Sequence, residues 1–70
     1  MIQKQFFFFN GQTHYSQTKI TIFELLLYFG YSSALFLVEY NNFIYPKKNW
    51  KNTTIQHNDK IEIINIVGGG

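Results

Sequence analysis

The residues able to do chemistry are few: the acids Glu24, Glu39, Asp59 and Glu62, the histidines His14 and His57, and the run Gly68-Gly69-Gly70. Glu24 falls in a helix-capping pattern and Asp59 in a turn, and no two acids make the spaced pair that general acid–base hydrolysis requires. Cysteine is absent, so there is no thiol nucleophile, no disulfide framework and no thiolate metal site. His14 and His57 have no partner at ligand spacing, so no metal is expected and both read as surface or packing residues. The glycines are not a phosphate loop, which needs a helix N-terminus behind it to supply amides and a dipole. Nothing here fits an enzyme acting alone, and no catalytic residue is expected.

What remains is the α-carboxylate of Gly70. A model α-carboxyl has a pKa of about 3.3–3.7, so it is ionised at neutral pH and is a poor electrophile. An ATP-using partner would convert it to an acyl-adenylate, which is a good one. Three extended glycines span about 10 Å, and without side chains they pass through a channel that excludes anything bulkier. The same glycines also read as slack on a fraying terminus. The residues by themselves leave both readings open.

The elements that must carry this tail belong to one small domain. Seventy residues bury little core unless the core is unusually apolar; the 20% aromatic content supplies large side chains for that purpose. The net charge of +2 is mild. It concentrates at Lys47, Lys48 and Lys51 around Trp50, which reads as a solvated loop or, alternatively, a nucleic-acid patch with an aromatic in it. The expectation is no nucleic acid. The sequence shows no secretory signal and no apolar run of membrane length. About half the residues are Ile, Phe, Asn, Lys or Tyr, types with AT-rich codons. The expected location is therefore the cytoplasm, or the plastid stroma if the gene is organellar.

Asn10-Gly11 predicts a tight hairpin between a strand over Ile2 to Phe9 and a return strand over Gln12 to Ser16. Phe7 and Phe9 share one face of the first strand and Phe6 and Phe8 the other. Thr21-Ile22-Phe23-Glu24 is a capping box opening a helix of about two turns, with Ile22, Leu25, Leu26 and Phe29 as its apolar stripe and Gly30 as its stop. A third strand is predicted over Leu35 to Tyr40, a turn at Asn41-Asn42 and a short edge strand over Phe43 to Tyr45 before Pro46. Lys47 to Asn58 reads as a loop or short helical turn anchored by Trp50 and Ile55, and Lys60 to Val67 as the last strand. In that strand Ile61 and Ile63 face one way and Ile64 and Ile66 the other. The first and last strands are apolar on both faces, which places them side by side at the centre of the sheet. The fold class is thus α+β, a β-grasp: a mixed sheet of four to five strands with one helix across one face. Residues 1–67 form the domain and 68–70 a mobile tail.

Put together, these pieces resemble the ThiS family, the ubiquitin-like sulfur carriers of thiamine biosynthesis. The matching residues run the length of the chain: Phe9-Asn10-Gly11; "TIFELL", Thr21 to Leu26; "VEYN", Val38 to Asn41; Ile44, Pro46 and Trp50; "DKIEI", Asp59 to Ile63; and "VGGG". The resemblance implies a carrier that binds no cofactor itself and is a monomer when free. An E1-like adenylyltransferase would use ATP to adenylate Gly70. Sulfur from a cysteine desulfurase or another donor would convert it to a thiocarboxylate, and thiazole synthase would take that sulfur into the thiazole of thiamine. Gly68 and Gly69 would thread into the partner, and Phe6, Phe8, Ile64 and Ile66 would form the docking surface. His14 and Ser16 depart from the apolar residues usual in the family's second strand. The alternatives are a carrier like the small subunit of molybdopterin synthase, a ubiquitin-like protein modifier, or, in a different class, a β-grasp module that binds RNA or protein through the Lys47–Lys51 segment. No association with a membrane is expected.

Overall fold

Asn10 and Gly11 turn β1 (Gln5–Phe9) back along β2 (Gln12–Ser16) with φ of 52° and 79°. This is the left-handed geometry that a two-residue hairpin requires. Asn41 and Asn42, at φ 51° and 76°, do the same between β3 (Phe36–Tyr40) and β4 (Phe43–Ile44). The computed structural model describes residues 4–31 and 36–65. Within them the strand order is β2-β1-β5-β3-β4, with β5 (Lys60–Asn65) at the centre. β1 and β5 run parallel, Phe8 beside Lys60, and the other pairings are antiparallel.

The single helix α1 (Ile22–Tyr28) is closed at both ends by its own sequence. The Thr21 hydroxyl accepts from the Glu24 amide at 3.1 Å, and the Glu24 carboxylate accepts from the Thr21 amide at 2.8 Å. At the other end Gly30 takes φ 86°. Its amide donates to the Leu27 carbonyl and the Tyr31 amide to the Leu26 carbonyl, a Schellman closure. Seven residues do not hold a helix in water. What holds α1 is its face of Ile22, Leu25 and Leu26, buried against Phe7, Phe9, Val38 and Ile61 of the sheet. Ile22, Leu26, Val38 and Ile61 are fully buried, each contributing about 2 kcal/mol of transfer free energy.

A 3-10 turn over Lys47–Asn52 and the strap after it close the end of this core. Trp50 lies inside, its indole N–H donating to the Tyr45 carbonyl and its ring stacked on Phe36 at 5.6 Å. Ile55 is buried too, and the strap is tied to the start of α1 by Ile55 N–H to Ile20 and Ile22 N–H to Thr53.

This five-stranded mixed sheet with one helix is the β-grasp arrangement expected, with β1 and β5 adjacent and the proline-terminated β4 at an edge. Two details differ. Phe29, the last residue of the apolar stripe read from the sequence, is the C-cap rather than part of the helix; it is 39% exposed and stacked on Phe9 at 4.9 Å, because the left-handed Gly30 stops the helix at Tyr28. β4 ends at Ile44 rather than Tyr45, although the Tyr45 amide still donates to Val38. The predicted start of β3 at Leu35 and the end of the last strand beyond Asn65 lie outside the described residues.

Candidate functional site

The strand that leads into the glycines is fastened with unusual care. Asp59, buried just before β5, accepts three hydrogen bonds: from the Gln56 amide at 2.7 Å, from the Asn41 side-chain amide at 3.1 Å, and from the Tyr40 hydroxyl. Asn41 in turn accepts from the Lys60 amide through its side chain and donates to the Lys60 carbonyl through its backbone, both at 2.8 Å. Desolvation by burial, reinforced by the Asp59 carboxylate, raises the Tyr40 phenol well above its ordinary pKa. The "VEYN" and "DKIEI" segments are therefore two halves of one lock. It fixes the register of β5 on β3 through Asn65.

Asn10 fastens the other side of β5. Its backbone amide donates to Ile61 at 3.0 Å, and its side-chain oxygen accepts from the Ile63 amide at 2.8 Å. The side chain supplies an acceptor where the β1 backbone has already turned away, extending the parallel ladder by one bond. The first-strand motif Phe9-Asn10-Gly11 thus positions β5 as well as making a turn.

The helix covers one face of the sheet and leaves the other open. Since Phe7, Phe9, Val38 and Ile61 are buried under α1, strand alternation places Phe6, Phe8, Leu37, Glu39, Glu62 and Ile64 on the open face. Register adds Tyr15 opposite Phe6 and Ile44 opposite Glu39. Of the expected docking residues, Phe6, Phe8 and Ile64 share this face, while Ile66, Gly68, Gly69 and Gly70 lie outside the described residues.

Phe6 and Phe8 are half-buried. Their rings meet edge to face at 5.8 Å, and Tyr15 and His57 pack on Phe6 at 6.3 and 4.2 Å. His57 also accepts the Phe6 amide proton on Nδ1 at 3.1 Å, so it is a structural acceptor and more than a surface residue. The residues most available on this face are ones the sequence reading did not nominate: Tyr15 at 61% exposure, Ile44 at 53% and Leu37 at 38%, beside Ile64 at 37%. The odd–even alternation of β3 marked Leu37 as facing away from Val38. Its position beside Ile64 depended on a long-range register that no local motif states.

The family model described as the ThiS family matches residues 7–70. The chain belongs to the ThiS family. It is 55% identical over 64 residues to the uncharacterized protein ycf40 of Trieres chinensis, covering 91% of this chain and 88% of that one. It is 34% identical over 61 residues to the ycf40 of Porphyra purpurea, covering 87% and 86%. Among solved structures it superposes on the thiamine biosynthesis protein ThiS of Geobacter metallireducens with a TM-score of 0.79 and 23% identity, over 94% of this chain and all of that one. At that identity the likeness is one of fold.

For this ThiS-family chain the remaining candidates fall into place. Trp50 is buried with its indole nitrogen bonded and has no free face on which a base could stack, so the lysine segment lacks the aromatic half of a nucleic-acid site. Lys47, Lys48 and Lys51 are exposed, and the Lys51 ammonium sits 4.8 Å above the Phe23 ring. His14 lies opposite Phe7 on the helix side, stacked on it at 5.8 Å and edge-on to Phe29 at 5.3 Å. It holds a packing position on the edge strand, so the departure from apolar residues there leaves the register intact. A groove of about 430 Å³ opens beside it between β2 and α1, with Leu25 and Tyr28 among its walls. That groove is on the side of the sheet away from the open face. Among the described residues no group of histidines and acids could hold a metal ion, and no helix is long and apolar enough to cross a membrane.

Proposed function

We propose that this chain is a sulfur carrier that delivers sulfur for the thiazole of thiamine as a Gly70 thiocarboxylate. The observation that carries the reading is the family match, which runs through the terminal glycines to residue 70. A sheet whose central strand, locked on both sides, leads into those glycines supports it. In this reading the domain is the handle and the tail is the working part. An E1-like adenylyltransferase binds the open face and receives Gly68 and Gly69 in a narrow channel. The Gly70 carboxylate attacks the α-phosphorus of ATP, releasing pyrophosphate and leaving an acyl-adenylate. Sulfide-level sulfur displaces AMP and leaves the Gly70 thiocarboxylate; where the donor is a cysteine desulfurase persulfide, the acyl disulfide first formed is cleaved by a second thiol, which departs as a disulfide. Thiazole synthase then takes the sulfur and Gly70 returns as a carboxylate. The chain supplies no acid, base or cofactor; ATP belongs to the partner. It works as a free monomer in the cytoplasm, or in the plastid stroma where the gene is organellar.

The thiazole assignment is tested by offering the thiocarboxylated protein to thiazole synthase and, separately, to the large subunit of molybdopterin synthase. Sulfur loss to the first alone is expected. Loss to the second alone would move the chain to the molybdopterin branch, and joining of the tail to lysines would make it a protein modifier.

A further inference from the structure

On the open face Glu39 and Glu62 stand directly opposite each other, on β3 and β5. Both are half-buried. Like charges paired across strands oppose folding, and the described carboxylates that carry hydrogen bonds are Glu24 and Asp59, each in a structural role. The charged neighbour on the same face is Lys60, exposed and two residues before Glu62 on its own strand. Around the pair the face is aliphatic. Leu37 and Ile64 are partners one step along the strands, and Ile44 is the β4 partner of Glu39. This patch reaches Ile64, next to the last residue of β5, whereas Phe6 and Phe8 lie farther back, Phe6 partly covered by Tyr15 and His57 and Phe8 packed edge-on against Phe6.

Resting on the carrier reading above, we propose that the partner taking the tail docks on Leu37, Ile44 and Ile64, and that it inserts a lysine or arginine between Glu39 and Glu62. The charge asymmetry carries this choice of occupant. The chain as a whole is basic, with a net charge of +2, yet the centre of its apolar face holds two facing carboxylates. A cation brought by the partner relieves their repulsion, and the surrounding aliphatic rim excludes water and strengthens the pairing. The carrier thus retains a local conflict that docking resolves, and the resolved conflict selects partners with a cation at that point of an otherwise apolar surface.

The test uses the full chain and its adenylyltransferase, with affinity measured by calorimetry and the melting temperature measured alongside. Glu62→Lys replaces the like pair by an opposite one and is expected to raise the melting temperature while weakening binding by about a hundredfold; Glu39→Gln and Glu62→Gln are expected to weaken it by about tenfold each, with no loss of melting temperature. Binding should also be less salt-dependent in the glutamine variants. If the wild-type chain binds and Glu62→Lys binds as well or better, the cation is overturned and the carrier reading stands. Absence of any binding by the wild-type chain overturns both.

Discussion

Replacing Asp59 by alanine should cost more stability than any other polar substitution in this domain. Three donors converge on one buried carboxylate: the Gln56 amide, the Asn41 side chain and the Tyr40 hydroxyl. A hydrogen bond to a charged acceptor is worth about 1.5–3 kcal/mol, and donors left unpaired lose the full value only where water cannot reach them. The Asn41 donor lies at the surface and is rehydrated, while Tyr40 and Gln56 face the space the carboxylate vacates. The three together should lose about 3–4 kcal/mol, comparable to the whole stability that a core of this size supplies, roughly 3–5 kcal/mol. Urea unfolding read by the fluorescence of Trp50, the single tryptophan, measures the loss. Should Asp59→Ala prove too unstable to study, Asp59→Asn keeps an acceptor oxygen but turns a donor against one of the partners, and about 2 kcal/mol is expected. A loss below about 1 kcal/mol in both variants would refute the lock between the β3–β4 hairpin and β5.

Tyr40 gives the same lock a pH signature. Its folded pKa is raised, by burial first and then by Asp59, so its contribution is complete below the unfolded phenol value of about 10 and declines as pH climbs above it toward the folded value, by at most about 1.4 kcal/mol per unit. Denaturation midpoints measured between pH 8 and 11 should fall at the alkaline end for the wild type and fall less for Tyr40→Phe. Gly30→Ala meets no neighbour within 4 Å but forces a Cβ onto φ 86°, and about 1–2 kcal/mol should be lost by thermal or urea unfolding. Changing Lys47, Lys48 and Lys51 to glutamine should leave adenylation by the partner enzyme within about twofold of wild type, since all three are exposed, Lys51 rests on Phe23 of the helix, and surface changes of this kind are normally small. A collapse of adenylation in that triple variant would return the lysine segment to the functional site.

Where a feature depends on neighbours in sequence, it was legible. Asn10-Gly11, the Thr21–Glu24 box and Gly30 each satisfy a backbone requirement that the residue types announce, and all three form as read. The doubly apolar β1 and β5 pointed to neighbouring strands in the middle of the sheet, where one apolar face lies under α1 and the other belongs to the open face. The less visible features depend on long-range register. Glu39 opposes Glu62 only once the Asn41–Asp59–Lys60 contacts, 18 or 19 residues apart, have fixed β5 against β3. His57 meets Phe6 across 51 residues, with no local pattern to reveal it. Trp50 and Ile55 were legible as anchors of their segment and both are buried, but the short 3-10 turn has no amphipathic period to say what they pack on, and the partners Phe36 and the Tyr45 carbonyl come only from the fold. The glycines Gly68 to Gly70 lie outside the described residues, and their types alone fit both a thread and slack; the choice between them rests on the family match.

The most direct test of the carrier itself is intact mass spectrometry of the full chain after incubation with its adenylyltransferase, ATP and a sulfur donor. A chain lacking Gly69 and Gly70 serves as the control. The account predicts that the full chain gains the mass of one oxygen replaced by sulfur and that fragmentation places the change at Gly70, with the control unaltered and melting at the same temperature. An adenylate that accumulates without gaining sulfur, or no change at all with an enzyme that modifies another carrier, would contradict it.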